Sequence, residues 1–84
     1  MAVIEVLYFA WVRERVGLAR ERLDTPAATA GALADELAAR EERYALAFAD
    51  RAALRVAVDQ VLADWDAPLD GAREIAFFPP MTGG

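Results

Sequence analysis

The chain has 84 residues, 57% of them hydrophobic and 27% charged, with a formal net charge of −5. That length holds one domain with a small core, and the apolar fraction excludes a disordered chain. The acid excess excludes the basic footprint of a nucleic-acid binder, and the absence of Cys and His removes disulfides, thiol chemistry, the usual zinc ligands and the usual general base. All basic residues are Arg, with no Lys. No stretch approaches the ~18 apolar residues of a membrane span, and no basic-then-apolar leader opens the chain. A soluble, cytoplasmic protein without a membrane segment is expected, steered by its charge toward a basic partner.

In chain order, Ala2 to Ala10 reads as a strand rich in β-branched and aromatic residues. Both of its faces are largely apolar, which predicts a central position in a sheet. Trp11 to Val16 reads as a helical turn stopped by Gly17, and Arg20 to Leu23 as a second, more polar strand. Thr25-Pro26 marks a boundary. Thr29 is the expected N-cap of an amphipathic helix to about Glu42, with Leu33 and Leu37 on its apolar side and Glu36 and Arg40 on a more polar one. Helical spacing extends to Tyr44 and Phe48. Leu54 to Val58 and Val61 to Ala63 return to strand composition, and Asp66-Ala67-Pro68 and Asp70-Gly71 signal turns. Glu74 to Phe78 is the last strand, ended by Pro79-Pro80 because proline cannot donate to a ladder. One helical layer on one mixed sheet, an α+β architecture, is the simplest assembly of these parts.

Strand alternation then separates two faces. Ile4, Val6, Tyr8, Ile75 and Phe77 belong to the face that the helix covers. Leu7, Phe9, Ala76 and Phe78, together with Glu5 and Glu74, belong to a face with no obvious cover, and exposed contiguous apolar surface marks a partner site. Beyond the last strand, Pro79, Pro80, Met81, Thr82, Gly83 and Gly84 span roughly 20 Å when extended. The prolines stiffen this tail, and the glycines make it slim enough for a narrow channel. A carboxylate at Gly84 is a poor electrophile and needs activation, for example adenylation by ATP, before acyl chemistry. The pairs Asp64/Asp66 and Glu41/Glu42 have no His, Cys or Lys to complete a site and read as solvated charges. No phosphate loop, metal cluster or self-contained active site is evident.

The chain resembles the small, sulfur-carrier subunits of molybdopterin synthase, a ubiquitin-like family. The resemblance runs through Val6-Leu7-Tyr8-Phe9-Ala10, Val12-Arg13-Glu14, Val16-Gly17, Val56-Ala57-Val58, Pro68-Leu69, Asp70-Gly71 and Glu74-Ile75-Ala76-Phe77-Phe78-Pro79-Pro80, to Gly83-Gly84. The last of these motifs is the most specific. The chain departs from the family's usual residues at Asp59, where Asn is frequent, and at Arg73, where an acidic residue is common, neither of them in the tail; Asp and Asn both suit a turn, so the fold is expected to tolerate the first.

The resemblance implies a β-grasp domain over residues 1–78 and an extended tail over 79–84. It also implies a cycle in which an E1-like enzyme adenylates Gly84 with ATP and a sulfur donor converts it to a thiocarboxylate. The tail then enters the large catalytic subunit, and the sulfur passes to cyclic pyranopterin monophosphate. Pro79, Pro80, Met81, Thr82 and Gly83 are the inserted segment, and Gly84 bears the sulfur. Phe9, Leu62 and Phe78 form the partner surface, Leu62 by resemblance alone. Two such subunits flank a dimer of the large one, a heterotetramer. The carrier binds no metal or cofactor itself and performs no catalysis alone. Sulfur supply for thiamine or another pathway, a ubiquitin-like protein modifier, and a plain acidic interaction domain are the alternatives.

Overall fold

The structure is a computed structural model and describes residues 2–80; Met81, Thr82, Gly83 and Gly84 lie outside the described residues. Five strands, β1 (Ala2–Tyr8), β2 (Arg20–Thr25), β3 (Arg55–Val58), β4 (Val61–Ala63) and β5 (Glu74–Phe78), form one sheet in the order β2-β1-β5-β3-β4. β1 and β5 run parallel at its centre, and the other pairs are antiparallel, so the sheet is mixed. β1 is a central strand, as its two apolar faces predict. Three helices, α1 (Ala10–Val16), α2 (Ala30–Ala38) and α3 (Glu42–Ala47), and a 3-10 turn at Arg51–Ala53 complete the fold.

The local signals act as their chemistry requires. Gly17 ends α1 in the left-handed region, φ 86°, and its N–H donates to the Arg13 carbonyl. Thr29 caps α2 by accepting the Ala32 N–H at 3.1 Å. The helix from Thr29 does not reach Glu42, however. It stops at Ala38, and Glu41 is extended (φ −152°, ψ 159°) and begins α3. One straight helix over 30–48 would run about 28 Å, well past a five-residue strand of about 17 Å. Breaking it folds Tyr44, Ala47 and Phe48 back into the core. The break also separates Glu36 from Arg40. Glu36 instead accepts from the Thr25 hydroxyl at 2.5 Å, and Arg40 lies 3.8 Å from Glu21.

The core sits between the sheet and the helices. Ile4, Val6, Tyr8, Val56, Ile75 and Phe77 are buried beneath Val12 and Val16 of α1, Leu33 and Leu37 of α2, and Tyr44 of α3. Phe77 is the aromatic hub. Phe48 meets it edge-on at 4.8 Å between ring centroids, and Tyr8 and Trp65 lie roughly parallel to it at 6.3 and 6.1 Å. Such pairs add to the value of the buried area itself.

Candidate docking face and tail

The other face of the same sheet is open. In the register, Leu62 of β4 pairs with Ala57 of β3, Ala57 with Ala76 of β5, and Ala76 with Leu7 of β1. Partners side by side in a sheet point the same way, so these four residues form one continuous row. Toward the tail, Phe78 pairs with Arg55, and Phe9 follows β1, its N–H donating to the Phe77 carbonyl at 3.2 Å. In the opposite direction stand Glu5 and Glu74, also partners.

Leu7, Phe9, Ala10, Ala57, Gln60, Glu74, Ala76, Phe78, Pro79 and Pro80 surround a shallow, almost wholly apolar depression of about 460 Å³. Phe9 is 48% exposed and Leu62 69%. Alternation thus places Phe9 and Phe78 as expected, and the register adds Leu62 to their face. Leu62 stands at its outer edge, on the short strand β4, away from the depression itself. Pro79 and Pro80 lie at its rim, so the route out of β5 starts within the depression.

One backbone feature helps to present Phe9. Ala10 takes φ 54°, a left-handed conformation unusual for a residue with a Cβ. It turns the chain sharply from β1 into α1, whose side chains Val12 and Val16 go to the core, and leaves Phe9 outside. Ala10 and Ala57 were missed as part of this face by sequence reasoning. For Ala57, simple alternation with the buried Val56 would have found it.

A second unforeseen feature lies on the covered face. The hydroxyls of Tyr8 and Tyr44 both donate to Glu21 Oε2, each at 2.7 Å. The guanidinium groups of Arg40 and Arg43 lie over the Tyr44 ring at 5.3 and 4.9 Å. Burial, and then the hydrogen bond to the Glu21 carboxylate, push both phenols above their ordinary value of 10. This is a structural clasp joining β1, β2 and α3, remote from the open face. The only hint in the sequence is Glu21 on the inward side of an otherwise polar strand.

Asp59 and Gln60 make the two-residue turn between β3 and β4, with φ 49° and 70°. The Asp59 carboxylate accepts the N–H groups of Arg73 and Glu74 at 2.8 and 2.9 Å. These bonds fix the start of β5, the strand that carries Phe78 and the tail, and they hold the Asp59 carboxyl below its ordinary value. Asp59 is tolerated in the turn and adds a bond there.

Among the described residues, no cluster of three or more acidic, His or Cys side chains is placed to hold a metal ion, and no helix is long and apolar enough to cross a membrane. The open face is largely apolar and, among the described residues, carries no Cys, His or Lys.

The family model described as "ThiS family" matches residues 6–84. The chain belongs to the ThiS family. It is 45% identical over 82 residues to the molybdopterin synthase sulfur carrier subunit of Escherichia coli, which covers 98% of this chain and 100% of that protein. It is 39% identical, with the same coverage, to the protein of that name from Haemophilus influenzae. The crystal structure of SAMP1 from Haloferax volcanii superposes with a TM-score of 0.74 at 25% identity, over 99% of this chain and 100% of that one. The fold of this ThiS-family protein is the ubiquitin-like β-grasp.

Proposed function

We propose that this chain is the sulfur-carrier subunit of a molybdopterin synthase. The observation that carries the reading is the full-length likeness to two relatives of that name. It is supported by an apolar sheet face that ends at Phe78 and opens onto Pro79 and Pro80.

In this reading the open face docks the chain on a large catalytic subunit, with Phe9, Phe78 and Leu62 as contacts. The tail from Pro79 to Gly83 then passes into that subunit's active site. Before docking, an E1-like enzyme joins the Gly84 carboxylate to the AMP moiety of ATP with loss of pyrophosphate. Sulfide-level sulfur (HS−) from a donor attacks the acyl adenylate and displaces AMP, leaving a thiocarboxylate. Within the large subunit that sulfur is transferred to cyclic pyranopterin monophosphate, and water cleaves the acyl C–S bond to restore the Gly84 carboxylate. The chain contributes a carrier end and a docking surface; the partners supply the catalytic side chains. A cytoplasmic location accords with such partners.

Intact-mass measurement of the chain, incubated with its activating enzyme, ATP and a sulfur donor, tests the first half. Exchange of one oxygen for sulfur at the C-terminus is expected. Full activation of the enzyme with no such exchange would refute the carrier role. Restoration of molybdoenzyme activity, rather than relief of thiamine auxotrophy, in a strain lacking the native carrier tests the pathway.

A further inference from the structure

We infer that the open face reads charge as well as apolar shape. Arg55 takes a carboxylate of the docking partner beside the root of the tail, and Glu74 takes a partner cation at the far end of the depression. This rests on the docking role proposed above and specifies the surface that fits it.

The argument starts from which charges on this face are already satisfied. Glu5 is held by Arg20, whose Nη2 lies 2.7 Å and whose Nε lies 2.9 Å from Glu5 Oε2. Arg22, which is also in no ion pair among the described residues, lies across from Glu5 on the outer strand β2, beyond the apolar row and away from the tail. Arg55 stands instead beside the root of the tail. It pairs with Phe78 in the register and is exposed, and among the described residues its guanidinium donates to backbone carbonyls, those of Leu54 at 2.8 Å and Ala52 at 3.3 Å. No ion pair among the described residues includes Arg55. Glu74 borders the depression, and none includes it either.

A partner seated on Leu7, Phe9, Ala76 and Phe78 strips water from both of these charges. A charge desolvated without a counter-charge is costly, so the fitting surface carries one for each. Arg55 pairs with Phe78, four residues from Glu74 on one strand, so the backbone positions that carry the two charges stand about 13 Å apart along it. The occupant is therefore a protein surface with an apolar ridge, an Asp or Glu on the side where the tail enters, and a Lys or Arg at the other end. With a net charge of −5 the chain as a whole favours basic surfaces, so the cation at Arg55 gives docking a direction that net charge does not.

The experiment measures affinity and association rate between the full chain and the large subunit from the same source, at low and high salt. Wild type is compared with Arg55→Glu, Arg55→Leu, Glu74→Arg and, as the apolar control, Phe78→Ala. Arg55→Glu and Glu74→Arg are expected to weaken binding about tenfold or more at low salt, largely through the association rate, and by less at high salt. Arg55→Leu should lose less than Arg55→Glu. The thermal midpoint of the free Arg55 variants should stay that of wild type.

If both reversals bind like wild type while Phe78→Ala binds poorly, the face docks without reading charge and the inference fails, with the docking role intact. If wild type itself does not bind the large subunit, the docking role fails and the inference with it. If the free chain self-associates through this face and Arg55→Glu disrupts that, the occupant is a second copy and the inference is overturned.

Discussion

The two faces of the central strands are both largely apolar, yet one is covered by helices while the other, which also carries Glu5 and Glu74, is not covered by any described residue. Phe77 and Phe78 are adjacent, chemically identical and in one strand. Phe77 is fully buried among Tyr8, Phe48 and Trp65, while Phe78 lies half-buried beside Phe9 and Pro79. A strand with one apolar face marks where the core is. A strand with two, beneath one helical layer, leaves an apolar face uncovered among the described residues.

The sharpest way to break this comparison is to truncate each phenylalanine. Phe77→Ala should cost about 3–5 kcal/mol, enough to unfold much of so small a domain. Phe78→Ala should cost about 1 kcal/mol or less. Denaturant titration of the free proteins checks both. Equal losses would mean that the open face is part of the core after all.

A middle-sized effect is expected at the clasp on the covered face. Tyr44→Phe leaves Glu21 with one phenol donor instead of two, a loss of about 1–3 kcal/mol for a largely buried bond. The wild-type clasp also has a pH signature. Both phenols titrate above 10 in the folded chain and at about 10 when unfolded. The folded state therefore holds more protons once the unfolded tyrosines ionise. The stabilisation is complete below about pH 10 and declines as pH rises above it. Thermal melts between neutral pH and pH 11 should show this decline, and Tyr44→Phe should flatten it.

The smallest effect concerns Asp59, which ties the β3–β4 turn to the start of β5. Its carboxyl is depressed in the folded state. Its contribution is thus present above the ordinary carboxylate range and is lost as pH falls through the depressed folded value. Asp59→Asn retains an acceptor for the Arg73 and Glu74 N–H groups, whereas Asp59→Ala removes it. The thermal midpoint at neutral pH should fall further for Asp59→Ala. Acid-limb melts should show less pH dependence for Asp59→Asn than for wild type. This site sharpens the comparison because it anchors the open-face strand from outside either face.

Local chemistry was enough for most of the elements. Gly17, Thr29 and the Pro79-Pro80 pair mark boundaries by backbone rules that need no neighbours. The extents of β4 and β5 follow from short β-rich runs between turn residues. The end of α2 was not legible, because the spacing of Leu37, Tyr44 and Phe48 suits one long helix as well as two short ones. The choice is made by the tertiary packing, in which the break lets Tyr44, Ala47 and Phe48 join Leu33 and Leu37 in one core.

The site divides in the same way. Period-two alternation by itself determined that Phe78 faces away from Phe77, since a strand can point its side chains in only two directions; that Phe9 shares the Phe78 face is set by the pairing of β1 with β5. Leu62, Ala57 and Arg55 joined that face only through pairing between strands distant in the chain, a matter of register that no local pattern encodes. The tertiary structure also decided which of two apolar faces stays open. The helices are sufficient for one layer, and that layer closes over Ile4, Val6, Tyr8, Ile75 and Phe77.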